Sequence, residues 1–109
     1  MRKRYSTYLL VICFLELVGC FGILTPRQNF ISIMNGTIGE NIEQMQSFDP
    51  GYKDNLLGTK HLMNGNFENK YISYSHLGDC IYVFEIDSKT NKIISWRIEG
   101  DPTACIVNP

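Results

Sequence analysis

At 109 residues the chain is one domain at most. Ten Lys and Arg against 11 Asp and Glu leave a net charge of −1 and no basic face of the kind nucleic acid needs. With 44% hydrophobic, 12% aromatic and 19% charged residues the composition is that of a globular protein, and no GxGxxG, GxxxxGK, HExxH or paired CxxC motif brings cofactor or metal chemistry.

The first residues set the compartment. Met1-Arg2-Lys3-Arg4 is a basic start, and Tyr8 to Val18 is an apolar run of about a dozen residues, the pattern of a signal peptide. Extending the run to Leu24 would bury Glu16 near mid-bilayer, at a cost of about 2–3 kcal/mol, so a membrane-spanning helix is the poorer reading. Leu17-Val18-Gly19-Cys20 resembles the bacterial lipobox. That resemblance implies cleavage after Gly19, lipidation of Cys20 and acyl chains such as palmitate holding the protein to a membrane. Phe21, not Asp, follows the cysteine, so the expected destination is the Gram-negative outer membrane, facing the periplasm.

The expected organisation is a lipoprotein signal peptide over 1–19, a lipidated tether over 20–24 and a single small α+β domain over 25–109. Loss of Arg2, Lys3, Arg4 and Glu16 leaves 7 basic against 10 acidic side chains, a net charge of −3. Anionic headgroups would not attract such a surface, so attachment rests on the acyl chains. Cys13 leaves with the signal and Cys20 is taken by lipid. Cys80 and Cys105 remain, and in an oxidising compartment they are expected to pair. The alternatives are two free thiols or a metal pair with His61 or His76.

Thr25-Pro26-Arg27-Gln28 reads as a helix start, with Thr at the N-cap, Pro at N1 and Gln in capping-box position. Phe30, Ile31, Ile33, Met34 and Ile38 form a stripe near helical period, predicting a helix over about 26–35 that Asn35-Gly36 weakens or ends. Thr37-Ile38-Gly39-Glu40 offers a second capping box for a short helical turn over about 40–46. Ser47 to Leu57 reads as a connector containing the turn sequence Asp49-Pro50-Gly51-Tyr52, with Phe48 and Tyr52 expected to fold back on the core.

From Gly58 the pattern becomes strand and turn. Asn64-Gly65 predicts a two-residue hairpin loop, setting His61 opposite Glu68 and Thr59 opposite Lys70. Cys80 to Asp87 is the clearest strand, and Ser88 to Asn91 turns it into Lys92 to Glu99. The expected fold is short N-terminal helices packed on a four-stranded antiparallel meander, two layers with one disulfide. Uninterrupted alternation puts Cys80, Tyr82, Phe84 and Ile86 with Ile93, Ser95 and Arg97 on one face. It puts Ile81, Val83 and Glu85 with Ile94, Trp96 and Ile98 on the other. Both faces then look apolar, and short helices can cover only one. Tyr74, Ile94, Trp96 and Ile98 therefore become the candidate interaction surface.

Catalytic and metal-ligand patterns are lacking: His61 and His76 stand in no ligand spacing, and a His61–Glu68 pair would be an ordinary cross-strand contact. Glu85, Asp87, Glu99 and Asp101 fall at strand ends and turns, where solvated charge is normal. The expectation is a protein without enzymatic activity, cofactor or metal.

The stretches Asn64 to Asn69, Cys80 to Asp87, Ile93 to Gly100 and Cys105 to Pro109 resemble a group of small uncharacterised Gram-negative lipoproteins, although Ile81 stands where that group carries a basic residue. The order of lipobox, short helical segment with an Ile38-Gly39 break, then strands is similar at fold level to the BamE/SmpA/OmlA lipoproteins, without their Gly-Met-Thr helix start. The resemblance implies an accessory subunit of an outer-membrane assembly, working through an envelope protein partner. The other reading is a periplasmic inhibitor or ligand-binding lipoprotein like the lysozyme inhibitors, with Ser47 to Leu57 as its inserting loop.

Overall fold

The computed structural model describes residues 24–109. The expected signal segment, Cys20 and residues 21–23 of the tether lie outside the described residues. Three helices precede a four-stranded antiparallel sheet in the order β1-β2-β3-β4, tied by one disulfide between Cys80 and Cys105. The fold class read from the sequence is the one observed.

Helix α1 (Pro26–Thr37) starts as its capping chemistry dictates: the Gln28 N–H donates to Thr25 Oγ1 and the Thr25 N–H donates to Gln28 Oε1, both at 3.1 Å. Its buried stripe is Phe30, Met34 and Thr37, with Ile31 half-buried, whereas Ile33 and Ile38 face outward. The helix runs through Asn35-Gly36 because the Thr37 hydroxyl is buried and donates to the Met34 carbonyl at 2.6 Å. Thr37 is thus the last residue of α1 and not a cap for the next helix. The chain reverses at Gly39, whose φ of +89° suits a residue without Cβ. Asn41 instead caps α2 (Ile42–Phe48) by accepting the N–H groups of Glu43 and Gln44.

The expected connector 47–57 is mostly structured. Asp49 accepts the Gly51 N–H at 3.0 Å and starts α3 (Pro50–Asp54), and the Ile72 N–H donates to the Asn55 carbonyl just beyond it. Tyr52 packs edge-on against Tyr71, but Phe48 is 90% exposed, so only one of the two aromatics joins the core.

Strands β1 (Leu56–His61) and β2 (Phe67–Ser75) pair one residue away from the expected register. His61 stands opposite Phe67 and Lys60 opposite Glu68. The loop has three residues, Met63-Asn64-Gly65, not two. The Gly65 N–H donates to the Leu62 carbonyl at 3.1 Å, and Gly65 takes φ +91° before Leu62 pairs with Asn66. This is a tight turn closed by a left-handed glycine, the usual three-residue hairpin solution. Strand β3 (Gly78–Ile86) follows β2 in unbroken register, with Tyr71 opposite Tyr82 and Ser73 opposite Cys80.

The larger correction lies in β4 (Ile93–Glu99). Ile86 pairs with Ile93, but Glu85 pairs with Ser95, so Ile94 is an extra residue in a bulge. Beyond it every β4 side chain changes sides relative to uninterrupted alternation. Trp96 stands opposite Phe84 and Ile98 opposite Tyr82, and both pack on the helix-covered core. Arg97 and Glu99 turn to the other face. The sheet therefore does not have two equally apolar faces. One carries Tyr71, Cys80, Tyr82, Phe84, Ile86, Ile93, Trp96 and Ile98 beneath α1, and the other is rich in charge.

Cys80 and Cys105 are both almost wholly buried, their Cα atoms 4.8 Å apart. A 3-10 turn (Pro102–Ala104) brings the chain back, the Ser75 hydroxyl donates to the Ala104 carbonyl at 3.0 Å, and the Val107 N–H donates to the Pro26 carbonyl at 3.0 Å. The C-terminal segment thus crosses the end of the sheet and joins the start of α1.

Candidate interaction surfaces

Two concavities stand out. The first is a shallow hollow of about 320 Å³ on the open sheet face, lined by Leu57, Lys60, Glu68, Lys70, Val83 and Arg97 among others. Its floor is Val83, which is buried although no helix among the described residues covers it, with Lys70 and Arg97 flanking it in register. The bulge at Ile94 is what turns Arg97 toward this face. Arg97 donates two hydrogen bonds to Glu68 and one to Glu99 at 3.0 Å, while Lys70 holds Glu99 at 2.7 Å. Hydrogen bonding by Arg97 keeps the Glu68 carboxyl below the usual carboxylate range, and Lys70, then Arg97, do the same for Glu99. The guanidinium is held charged in turn by Glu68.

The second is a groove of about 330 Å³ between α1 and α3, walled by Phe30, Ile33, Met34 and Tyr52 and floored by Tyr82. Burial pushes the Tyr52, Tyr71 and Tyr82 phenols upward, so all three are neutral at physiological pH. The Tyr71 oxygen accepts from Asn69 at 3.0 Å and from Gln46 at 3.3 Å, which satisfies the polar groups beneath α2.

The structure does not bring Tyr74, Ile94, Trp96 and Ile98 together on an uncovered face. Trp96 and Ile98 belong to the covered core, where Phe30 meets the indole edge-on with ring centroids 6.2 Å apart. Ile94 is exposed at the bulge, and Tyr74, 70% exposed, lies toward the other end of the open face. The His61–Glu68 pairing is replaced by His61 beside Phe67 and Glu68 on Arg97. Glu99 joins the ion network, Glu85 accepts from the Asn66 side chain at 3.1 Å, Asp87 caps its turn through the Lys89 N–H, and Asp101 caps the 3-10 turn. These carboxylates do not converge.

Sequence reasoning missed the Glu68–Arg97–Glu99–Lys70 network, since its residues come together across β3 only once the bulge in β4 is known. Ser47 to Leu57, the candidate inserting loop, is largely helical and anchored through Tyr52. Among the described residues no three His, Cys, Asp or Glu side chains group as metal ligands, and no helix is long and apolar enough to cross a membrane. No protein-family model, curated protein or solved structure matches the chain.

Proposed function

We propose that this protein is a non-enzymatic lipoprotein, anchored through Cys20 to the Gram-negative outer membrane, facing the periplasm and acting through contact with an envelope protein. The observation that carries the reading is the distribution of its four cysteines. Cys20 ends the Leu17-Val18-Gly19 run, Cys13 lies inside the expected signal, and the other two are joined in the core. A buried disulfide suits an exported domain, because the reducing cytosol works against such bonds.

The surface best suited to a protein partner is the charged open face. Its hollow offers the exposed Leu57 beside a rim of Lys60, Lys70, Arg97, Glu68 and Glu99, a mixture fit for a modest, oriented contact. In cells given labelled palmitate, the wild-type chain should take up label and fractionate with the outer membrane, and Cys20→Ser should lose both. Normal fractionation and cleavage of Cys20→Ser would overturn the anchor. Purification of the lipidated protein from native membranes should recover an envelope partner whose retention Arg97→Glu weakens. Recovery of none would overturn the accessory role.

A further inference from the structure

One end of the domain gathers the start of α1, the C-terminal segment and the β2–β3 turn. Val107 bonds to Pro26, Asn29 donates to the Val107 carbonyl at 3.1 Å, and Ser75 bonds to Ala104. The hydrophobic side chains exposed here are Leu24, Tyr74, Leu77 and Val107. Residues 71–78 and 102–109 contain no Lys, Arg, Asp or Glu, and the charges nearby are Arg27, Asp49, Asp79, Glu99 and Asp101. The opposite end exposes Ile38, Met63 and Ile94 but carries Glu40, Glu43, Asp87, Lys89 and Lys92 around its turns.

Chain length decides which end can meet a membrane. Four residues lie between Cys20 and Thr25, and the five steps from one to the other span at most about 18 Å however they run. The nine residues of β3 extend over roughly 27 Å from the disulfide end to the far turns. A domain held by its α1 start cannot turn over and set the far end on the bilayer, because the tether is shorter than the sheet.

We propose that the domain stands end-on against the lipid surface, seating Leu24, Tyr74, Leu77 and Val107 in the bilayer interface. This rests on the lipidation of Cys20 proposed above. The occupant of the patch is lipid: the tether brings it to the headgroups, and leucine, valine and a tyrosine with a polar tip are the side chains such a boundary accepts. With Arg27 as its single named cation against several carboxylates, this end has no basic cluster to attract anionic headgroups, and the contact depends little on them. The open sheet face then stands roughly perpendicular to the membrane, free for the protein partner.

The test uses the full lipidated chain in phosphatidylethanolamine–phosphatidylcholine vesicles with and without brominated acyl chains, which quench tryptophan at the interface. Leu77→Trp and Val107→Trp should lose emission in brominated vesicles. Met63→Trp at the far turn should lose no more than the unsubstituted protein, whose Trp96 supplies the background. Two substituted positions guard against one of them disturbing the fold. Palmitate uptake with no quenching at 77 or 107, or equal quenching at 63, would overturn end-on docking and leave the anchor standing. A chain that takes up no palmitate would overturn both.

Discussion

Trp96 stands opposite Phe84 on neighbouring strands and donates its indole N–H to Asn35 of α1 at 2.9 Å, so one side chain joins the bulged strand to the helix that covers it. Trp96→Ala should therefore destabilise the domain by about 2–4 kcal/mol, toward the low end for buried aromatics because the ring is half-buried. Trp96→Phe keeps most of the packing and should cost less, about 1–2 kcal/mol, including the lost hydrogen bond. Urea unfolding checks both. A Trp96→Ala variant as stable as wild type would show that the indole is not part of the core.

Ile94 gives a sharper test of the register. It is exposed and has no partner on β3, so its deletion joins Ile93 to Ser95 while keeping the Ile86–Ile93, Glu85–Ser95 and Phe84–Trp96 pairs. The shortened chain should fold with its indole N–H resonance still hydrogen-bonded. Under uninterrupted alternation the same deletion would instead carry Trp96 across the sheet, and its indole N–H resonance would move away from the wild-type position. An unfolded deletion variant would contradict the bulge.

Cys80 and Cys105 close a loop of 25 residues. Oxidised protein should show no thiol in denaturant beyond those of Cys13 or Cys20 where these are retained, and Cys105→Ser should cost about 2–4 kcal/mol. The loss combines chain entropy with release of the segment that Ser75 and Pro26 hold. Thiols at both positions in protein isolated from the periplasmic side would contradict the account.

The Glu68–Arg97 pair predicts an acid-side slope. Because Arg97 lowers the Glu68 pKa in the folded state, the pair's contribution is complete above the ordinary carboxyl value of 4.5 and fades as pH falls through the lower folded value. Glu68→Gln should flatten that decline, with a change of under about 1 kcal/mol at pH 7 because the guanidinium is exposed. Urea midpoints at pH 7 and pH 3 measure it. A Glu68→Gln domain that loses as much stability on acidification as wild type would assign the slope to other groups.

What was legible in the sequence followed from chemistry that acts locally. Thr25-Pro26-Gln28 marked the helix start, and the run from Cys80 to Asp87 marked the central strand, because capping and period-2 burial depend on neighbours in the chain. What was not legible followed from single residues that shift everything beyond them. Gly65 closes a three-residue loop where Asn64-Gly65 also suits a two-residue one, and the three-residue register is the one that sets Thr59 opposite Asn69, to whose side-chain oxygen its hydroxyl donates at 2.8 Å. Ile94 looks like one more apolar strand residue, and only the helix over Phe84 requires Trp96 to turn inward. That one bulge separated the expected interaction residues and assembled the ion network unseen. The disulfide was legible from counting cysteines by compartment, a physical argument that needed no register at all.

The central claim is that an oxidised domain hangs from a lipidated Cys20. Intact-mass spectrometry of protein extracted from a Gram-negative outer membrane tests both halves at once. The account predicts a chain of residues 20–109 heavier by a diacylglyceryl group and an amide-linked acyl chain, and lighter by two hydrogens for the Cys80–Cys105 bond. An unlipidated chain, one still carrying residues 1–19, or one that gains two hydrogens at Cys80 and Cys105 would contradict it.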